Sequence, residues 1–560
     1  MVQFFVSGKQ AERPLTSACR VQWTPDCCIP GKEKDEMAEK GHDASAQASP
    51  TPHWKLLLMQ VCLGVVANMG GISAGANLGF SAVALPQMRH PNATMSVNAE
   101  EASWIAGVSA LATPVGCLLS GWLLDRLGRR PALLWQNVPA LLGWLLLAVP
   151  ADSLGLPGKA HGLGAVYFGR ILTGLATGMG SVPGTVYVAE VGLKQLRGML
   201  VTWTSIAISL GIVTVYVIGA VLPSWRLVAV VCAALPLLSA VLVYAVVVES
   251  PVWLLGRGRL AEARTALART RLAHPGDVDE ELASMLRNRP KPSTARSSGL
   301  RGVLSDLRHP ECWKPLLIMN AFFLFQQLSG VFVVIFYAVD MVVEAGVAAD
   351  PYLVAVLIGV ARLLVTLVTG FLSNRVGRRP LAIVSGAGMA VCMTALATHL
   401  LLQSRGDHAG LLPGPWLPAA ALVSFILAST LGFLTLPWAM IGEVFPARFR
   451  GAAGGFTTCS AYLYSFAVVK AHPGAMQALG RHGVFFLYGA MALLGTLFVA
   501  LALPETQGRS LQDIEDYFRG RKRVALDSAD AEAAARLHVP AQAKQSTELK
   551  PLNGSAAAKT

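Results

Sequence analysis

The sequence predicts an all-α membrane protein, twelve transmembrane helices arranged as two six-helix pseudo-repeats. Three observations carry that prediction. Of the 560 residues 14% are charged and 53% hydrophobic, with a mean hydropathy of +0.51, whereas soluble chains hold about 25% charge. The apolar residues gather in runs near the ~20 that a bilayer core requires. A cationic phrase, Asp125-Arg126-Leu127-Gly128-Arg129-Arg130-Pro131, returns as Asn374-Arg375-Val376-Gly377-Arg378-Arg379-Pro380, about 250 residues on, a domain's length. Glu190 to Arg197-Gly198 recurs in step as Glu443 to Arg450-Gly451, and Glu249-Ser250-Pro251 more loosely as Glu505-Thr506-Gln507. Three phrases in one order at nearly one spacing mark a duplicated membrane unit, the layout of a secondary transporter built from parallel repeats.

In chain order, residues 1–53 mix Lys, Glu, Asp, Ser and Pro without a crossing-length apolar run, and read as a disordered cytosolic arm in which Met37 offers an alternative start. Spans fall at roughly 55–80, 102–124, 131–149, 162–188, 199–221 and 226–247, forming a first bundle over 54–248. The segment 249–311 carries Arg257, Arg259, Arg264, Arg269, Arg271, Arg287 and Arg289. It is too polar to cross and too basic to lie outside, so it reads as a cytosolic linker of short helices. Spans at 313–338, 351–373, 380–402, 417–441, 452–471 and 482–503 form a second bundle over 312–503, and 504–560 is a cytosolic tail. Short loops assigned inside hold Arg126, Arg129, Arg130, Lys194, Arg197, Arg375, Arg378, Arg379, Arg448 and Arg450, against Arg89, Lys159, Arg226, Arg405 and Arg481 outside. That asymmetry places both termini in the cytosol. Asn92-Ala93-Thr94 is then a glycosylation acceptor on the outer side, while Asn553-Gly554-Ser555 lies in the tail and stays silent.

The net charge of +13 is explained by topology and anionic headgroups rather than nucleic acid, because the cations sit in alternate loops. No Walker loop, Rossmann fingerprint or zinc-spaced Cys/His set occurs, so neither ATP hydrolysis, metal chemistry nor a cofactor is indicated, and no catalytic constellation marks an enzyme. Of nine cysteines, Cys62, Cys117, Cys232, Cys392 and Cys459 fall in spans, where a thiol acts as a small hydrophobe. Vicinal Cys27-Cys28 lies in the polar arm.

The arginine phrases end spans 2 and 8, Glu190 and Glu443 end spans 4 and 10, and Arg197 and Arg450 begin spans 5 and 11. Guanidinium and carboxylate at helix ends on one face can pair across helices, and guanidinium never deprotonates. With Gly169-Arg170, Gln326-Gln327-Leu328-Ser329-Gly330, Pro437-Trp438 and Pro504-Glu505-Thr506-Gln507-Gly508-Arg509, these phrases give a chain that resembles the sugar porter branch of the major facilitator superfamily over nearly all of 55–515. Ser73-Ala74-Gly75-Ala76-Asn77-Leu78-Gly79-Phe80 is similar to span 1 of class III facilitative glucose transporters and insect facilitated trehalose transporters. The resemblance implies alternating access around a midplane site. It implies an inner salt-bridge lock from Arg126, Arg130, Glu190, Arg197, Arg375, Arg379, Glu443 and Arg450. A sugar would meet the amides of Gln326 and Gln327 and the ring of Trp438.

Departures cluster at that site. Phe332 stands where the family continues with an amide, Ser205 where it often has glutamine, and Ala461-Tyr462 where an Asn-Trp pair is common. Span 10 reads Gly432-Phe433-Leu434-Thr435-Leu436-Pro437-Trp438, one glycine and one proline short of the family phrase. Arg362 replaces an amide in span 8, thirteen residues before Arg375, hence about 20 Å deep and near the membrane's middle. An arginine there costs at least about 2.5 kcal/mol unless solvated or paired. Its use is open between a hydrated structural role and contact with a ligand. Arg170 corresponds to a residue that works beside a span 1 carboxylate in proton-coupled relatives, yet 56–85 holds no Asp or Glu. The expectation is therefore facilitated diffusion of a hexose or trehalose-like disaccharide at the plasma membrane, with the lipid bilayer as surroundings and no obligate protein partner. Two alternatives stay open: a carrier of a small organic anion recognised by Arg362, and a non-transporting sugar sensor.

Overall fold

The computed structural model describes residues 53–90, 93, 95–150, 159–193, 196–273, 278–287, 307–347, 349–405, 416–446, 449–509 and 511–519. Asn92, Asn553, Cys27, Cys28, Met37 and the Arg197 side chain lie outside them. All regular structure among the described residues is helical. The first group comprises α1 (His53–Arg89), α2 (Ala99–Arg126), α3 (Arg129–Trp135), α4 (Asn137–Ala148), α5 (Lys159–Gly180), α6 (Pro183–Val191), α7 (Arg197–Val221) and α8 (Trp225–Val246). Three short helices follow, α9 (Pro251–Gly256), α10 (Leu260–Arg271) and α11 (Asp279–Arg287). The second group is α12 (Pro310–Leu328), α13 (Val331–Phe336), α14 (Ala338–Glu344), α15 (Pro351–Val376), α16 (Arg378–Arg405), α17 (Leu417–Leu431), α18 (Leu436–Val444) and α19 (Arg450–Ala502), and α20 (Leu511–Arg519) closes the described chain.

Among the described residues nine helices are long and apolar enough to cross a membrane. Expected spans 4 and 7 are not among them, and spans 11 and 12 run together as α19. The reasons are local. Span 4 is diluted by glycine, threonine and Arg170 and breaks before Pro183, and span 7 breaks at Gly330, which takes φ +80°. At the break inside α19, Gly480 adopts φ 69° and ψ 173°, an extended left-handed-side conformation open to glycine alone. The first helix outruns its expected 55–80 limits because Pro86, near its C-terminal end, does not terminate it.

The chain is arranged with apolar side chains outward and polar ones inward. Leu364, Phe371, Val391 and Leu501 are each more than half exposed, while Arg170, Gln326 and Ser385 are fully buried. Lipid tails offer such outward faces no hydrophobic drive to associate, so close packing and interior polar contacts hold the helices. The extensive pairs are α1 with α7, α2 with α5, and α16 with α19, while α2–α19 and α7–α15 bridge the two groups. In α1–α7 a Cβ on Gly75 would fall on the Ile208 carbonyl oxygen and one on Gly211 on that of Ile72. Gly75→Val is therefore expected to cost about 3 kcal/mol by overpacking, read as a lower melting temperature in detergent. A wild-type melt would contradict it.

Candidate functional site

Three layers of polar chemistry run along the bundle. The first lies at the end that holds the arginine phrases, here the basic end. Gly128 and Gly377 take φ +111° and +104°, so the chain turns sharply and the next residue starts a helix with its fork aimed back at a neighbouring helix end. Arg129 grips Glu190 through Nε at 2.8 Å and Nη2 at 2.5 Å, and Arg378 donates to Glu443 at 2.9 Å. Ser250 and Thr506 complete the two carboxylates at 2.5 and 2.7 Å. Glu249 and Glu505 accept the backbone N–H groups of Arg129–Arg130 and Arg378–Arg379.

Among the described residues, the two glutamates of the expected lock take Arg129 and Arg378, which that lock did not name. Both glutamates bind the arginine that follows the glycine, within their own helix group, rather than Arg126, Arg130, Arg375 or Arg379. Arg130 and Arg379 cap the carbonyls of Tyr244 and Ala500, Arg450 that of Phe445, and Arg375 lies over the Phe371 ring. The Arg126 carbonyl accepts from Arg257 at 3.3 Å.

The second layer is at mid-depth. α17 ends at Leu431 and α18 begins at Leu436, and the freed carbonyls of Phe433 and Leu434 accept from Gln326 Nε2 at 2.6 and 3.1 Å. Gln326 therefore holds the helix break, with no exposure. Gln327 reaches Gln326 at 3.5 Å, and its own Oε1 is buried with no partner. On the same helix Asn320 donates to Thr457 at 3.3 Å while its Oδ1 is also orphaned. Asn320, Phe323 and Gln327 share a face of α12 by their i, i+3, i+7 spacing. That face looks at an aromatic row, Phe323 against Trp438 at 4.8 Å and Trp438 against Tyr462 at 5.5 Å. Sequence reading named Trp438 and Gln327 but missed Asn320 and Phe323; the seven-residue spacing from Asn320 to Gln327 was the available signal. Tyr462, aligned with the tryptophan of the family's Asn-Trp pair, keeps a ring there, and Ala461 is the position that loses the amide.

Arg362 and Phe332 are also buried, Ser205 is exposed one turn from Ser209. Arg362 makes one long bond, Nε to Ser209 at 3.4 Å, and Nη1 is buried without a partner. Tyr216 lies within Coulombic reach of its guanidinium and donates to the Ile335 carbonyl at 2.7 Å. Arg362 thus sits under the short helix α13 that follows the Gly330 break and also carries Phe332. Ser205 is not brought to Gln327 by any of these contacts.

Arg170 contrasts with it. Its guanidinium donates to Asn77 Oδ1 at 2.5 Å and the Asn77 carbonyl at 2.9 Å. Ser81 and Ser109 each accept at 2.9 Å, and the Ile105 carbonyl at 3.2 Å. The Phe80 ring lies 5.7 Å away. Every donor direction is taken by neutral groups.

The third layer, at the opposite end, was absent from the sequence reading. Arg89 pairs with Asp340 at 3.1 Å, and Lys470 donates to Ser103 at 2.7 Å beside Trp104 and Phe466, whose rings are 5.8 Å apart. With Tyr216–Ile335 these contacts tie α1, α2 and α7 to α13, α14 and α19.

Against known proteins, the family model described as "Sugar (and other) transporter" matches residues 63–518. The chain is 32% identical to the facilitated trehalose transporter Tret1 of Culex quinquefasciatus over 491 residues, covering 87% of this chain and 91% of that one. It is 32% identical to the Anopheles gambiae Tret1 over 489 residues, again 87% of this chain but 59% of that protein's length. Among solved structures it resembles the xylose transporter XylE from E. coli in a partially occluded inward-open conformation, with TM-score 0.66 at 22% identity, covering 81% of this chain and 100% of that one. The proton:xylose symporter XylE bound to 6-bromo-6-deoxy-D-glucose gives TM-score 0.64 at 22% identity, 82% of this chain and 99% of that one. These structures share its fold, that of the major facilitator superfamily. A match to the family model over most of its length places this chain in the sugar transporter family of that superfamily, as a multi-pass membrane protein.

Proposed function

We propose that this chain carries a sugar, a hexose or trehalose-like disaccharide, down its gradient by alternating access, without catalytic or cofactor chemistry. The observation that carries the reading is the half-satisfied layer beside Trp438: Gln327 Oε1 and Asn320 Oδ1 are buried without partners on the helix face that carries Phe323, next to an aromatic row. Buried acceptors left unpaired are rare in native proteins, and a polyhydroxyl ligand supplies the donors they lack. Gln326, Gln327 and Trp438 form the core of this site, with Phe332 and Arg362 on its α13 side and Ser205 towards the basic end. Similarity to facilitated trehalose transporters supports the substrate class. Arg170 has neutral partners only, which supports uniport.

The same reading takes the chain as twelve spans in two six-helix units, 54–248 and 312–503, joined by 249–311. The basic end faces the cytosol by the positive-inside rule, with both termini there, Asn92 outside and the plasma membrane as residence. The residues of the expected lock, Arg126, Arg130, Arg197, Arg375, Arg379 and Arg450, are then taken together with the Arg129–Glu190 and Arg378–Glu443 pairs as the inner gate. The ties traced between the helix groups lie at mid-depth and the outer end, so this is a state closed to the outside.

The test is radiolabelled trehalose and glucose uptake into proteoliposomes. Saturable, equilibrating flux that ignores an imposed proton gradient is expected. Gln327→Ala should lower kcat/KM by about tenfold, the worth of one good hydrogen bond in a dry site. Concentrative uptake driven by a proton gradient would refute uniport. One observation favours a second reading, a small organic anion: the unpartnered Arg362 Nη1. Carboxylate flux lost in Arg362→Asn would replace the sugar with it.

A further inference from the structure

The seam between α2 and α19 joins the two helix groups, and three contacts near the outer end fix which faces meet. Lys470 donates to Ser103 at 2.7 Å, and the Trp104 and Phe466 rings stand 5.8 Å apart. A Cβ on Gly107 would meet the Phe466 ring at 3.1 Å and Lys470 Cβ at 3.7 Å. α2 ends at the basic end with Arg126 and α19 begins there with Arg450, so the two helices run antiparallel. Cys117 lies nine residues before Arg126 and Cys459 nine residues after Arg450. Each is then about 14 Å from that end, and the two thiols are level. Cys117 is two heptads on from Ser103 and Cys459 one heptad back from Phe466, which keeps both on the facing stripes.

The side chains bear out that register. The two thiols stand within Coulombic reach of each other, and the Tyr462 hydroxyl within reach of both. Both cysteines are half-buried and neither forms a disulfide. Cys117 Sγ is 3.5 Å from Ser181 Oγ, whose own proton goes to the Gly178 carbonyl at 2.8 Å, so the thiol is the donor there. Tyr462 belongs to the aromatic row, 5.5 Å from Trp438, and Cys459 lies three residues nearer the basic end. Among the described residues no group of three or more His, Cys, Asp or Glu could hold a metal ion; the chemistry here is that of two sulfurs.

We propose that Cys117 and Cys459 form a two-sulfur site for a soft divalent cation, of the zinc, cadmium and mercury kind, which bridges the two helix groups and halts their rocking. Thiolate sulfur selects soft ions over hard ones. On binding, two S–H bonds break, two metal–sulfur bonds form and two protons leave to the solution, while no electron moves. A divalent ion between two thiolates is neutral overall, which avoids the penalty that a net charge carries at this depth. Metal–sulfur bonds of about 2.3 Å keep the sulfurs within about 4.6 Å of each other. α2 and α19 belong to different groups, so every state in which the seam widens at this level is then forbidden. An ion that binds one state alone draws the population into it. The halt rests on the carrier reading above; the binding of the ion does not.

The probe is Cd2+ at low micromolar concentration, added to the freshly reduced full chain in detergent. The wild-type melting temperature is expected to rise by about 5 °C. Cys117→Ser and Cys459→Ser should each lose that rise, because one sulfur can hold an ion without tying the helices. Cys117→Ala and Cys459→Ala serve where a serine variant fails to fold, since alanine adds no polar atom to the seam. A wild type indifferent to Cd2+, or a rise that survives in either single variant, would overturn the site. In proteoliposomes the same Cd2+ should slow trehalose exchange at least about fivefold in the wild type, reversibly with a chelator, and leave both variants unaffected. A melting response with undiminished exchange would overturn the halt. A wild-type rise lost in both variants, in a protein that moves no trehalose even without Cd2+, supports the two-sulfur site and refutes only the substrate reading.

Discussion

Arg170→Ala is expected to yield little folded protein. The guanidinium, on α5, is the common donor for Asn77 and Ser81 of α1 and for Ser109 and the Ile105 carbonyl of α2. Its removal orphans these acceptors together and opens a void against Phe80. Breaking such a buried charged network costs about 3–5 kcal/mol, a large part of the 5–15 kcal/mol that typically holds a domain. The check is the monodisperse yield and melting temperature in detergent. Arg170→Lys should recover part of the loss, because one ammonium can satisfy some of the acceptors. A melt within a degree or two of wild type would mean that water replaces the guanidinium without penalty.

Arg362→Asn is expected to move stability in the opposite direction. The two arginines are alike in residue type and burial, yet Arg362 has one long bond and an orphaned nitrogen. A charge at mid-membrane carries a penalty of at least about 2.5 kcal/mol, and a 3.4 Å contact to Ser209 returns little of it. Asparagine removes the charge and can bond Ser209 or Thr366. A gain of about 1–2 kcal/mol follows, by the same logic that makes apolar replacements of buried ion pairs stabilising, and shows as a higher melting temperature. A lower melt would place a hidden partner on Nη1.

The basic end was partly legible. Repeated phrases identified Glu190 and Glu443 and the arginine run, because a charge beside a span end has few places to go. Which arginine pairs was not legible: φ at Gly128 and Gly377 rotates the following residue towards the carboxylate, and a linear phrase carries no rotation. At mid-depth, Gln326 and Gln327 stand side by side in sequence but face different ways, as adjacent residues on a helix must. One holds the α17–α18 break; the other looks at the Trp438 row. Asn320 escaped notice because it lies seven residues upstream, inside an apolar run.

The sequence by itself determined the all-α membrane class and the family, since these follow from composition, period and local phrases that any conformation of the chain must honour. Tertiary structure decided what each buried polar group is for. Arg89 meets Asp340 across 251 positions of chain, and Arg170 finds its acceptors on α1 and α2. In a membrane interior, pairing is the difference between a tolerable polar atom and an expensive one, and pairing between distant segments exists only once the helices have packed.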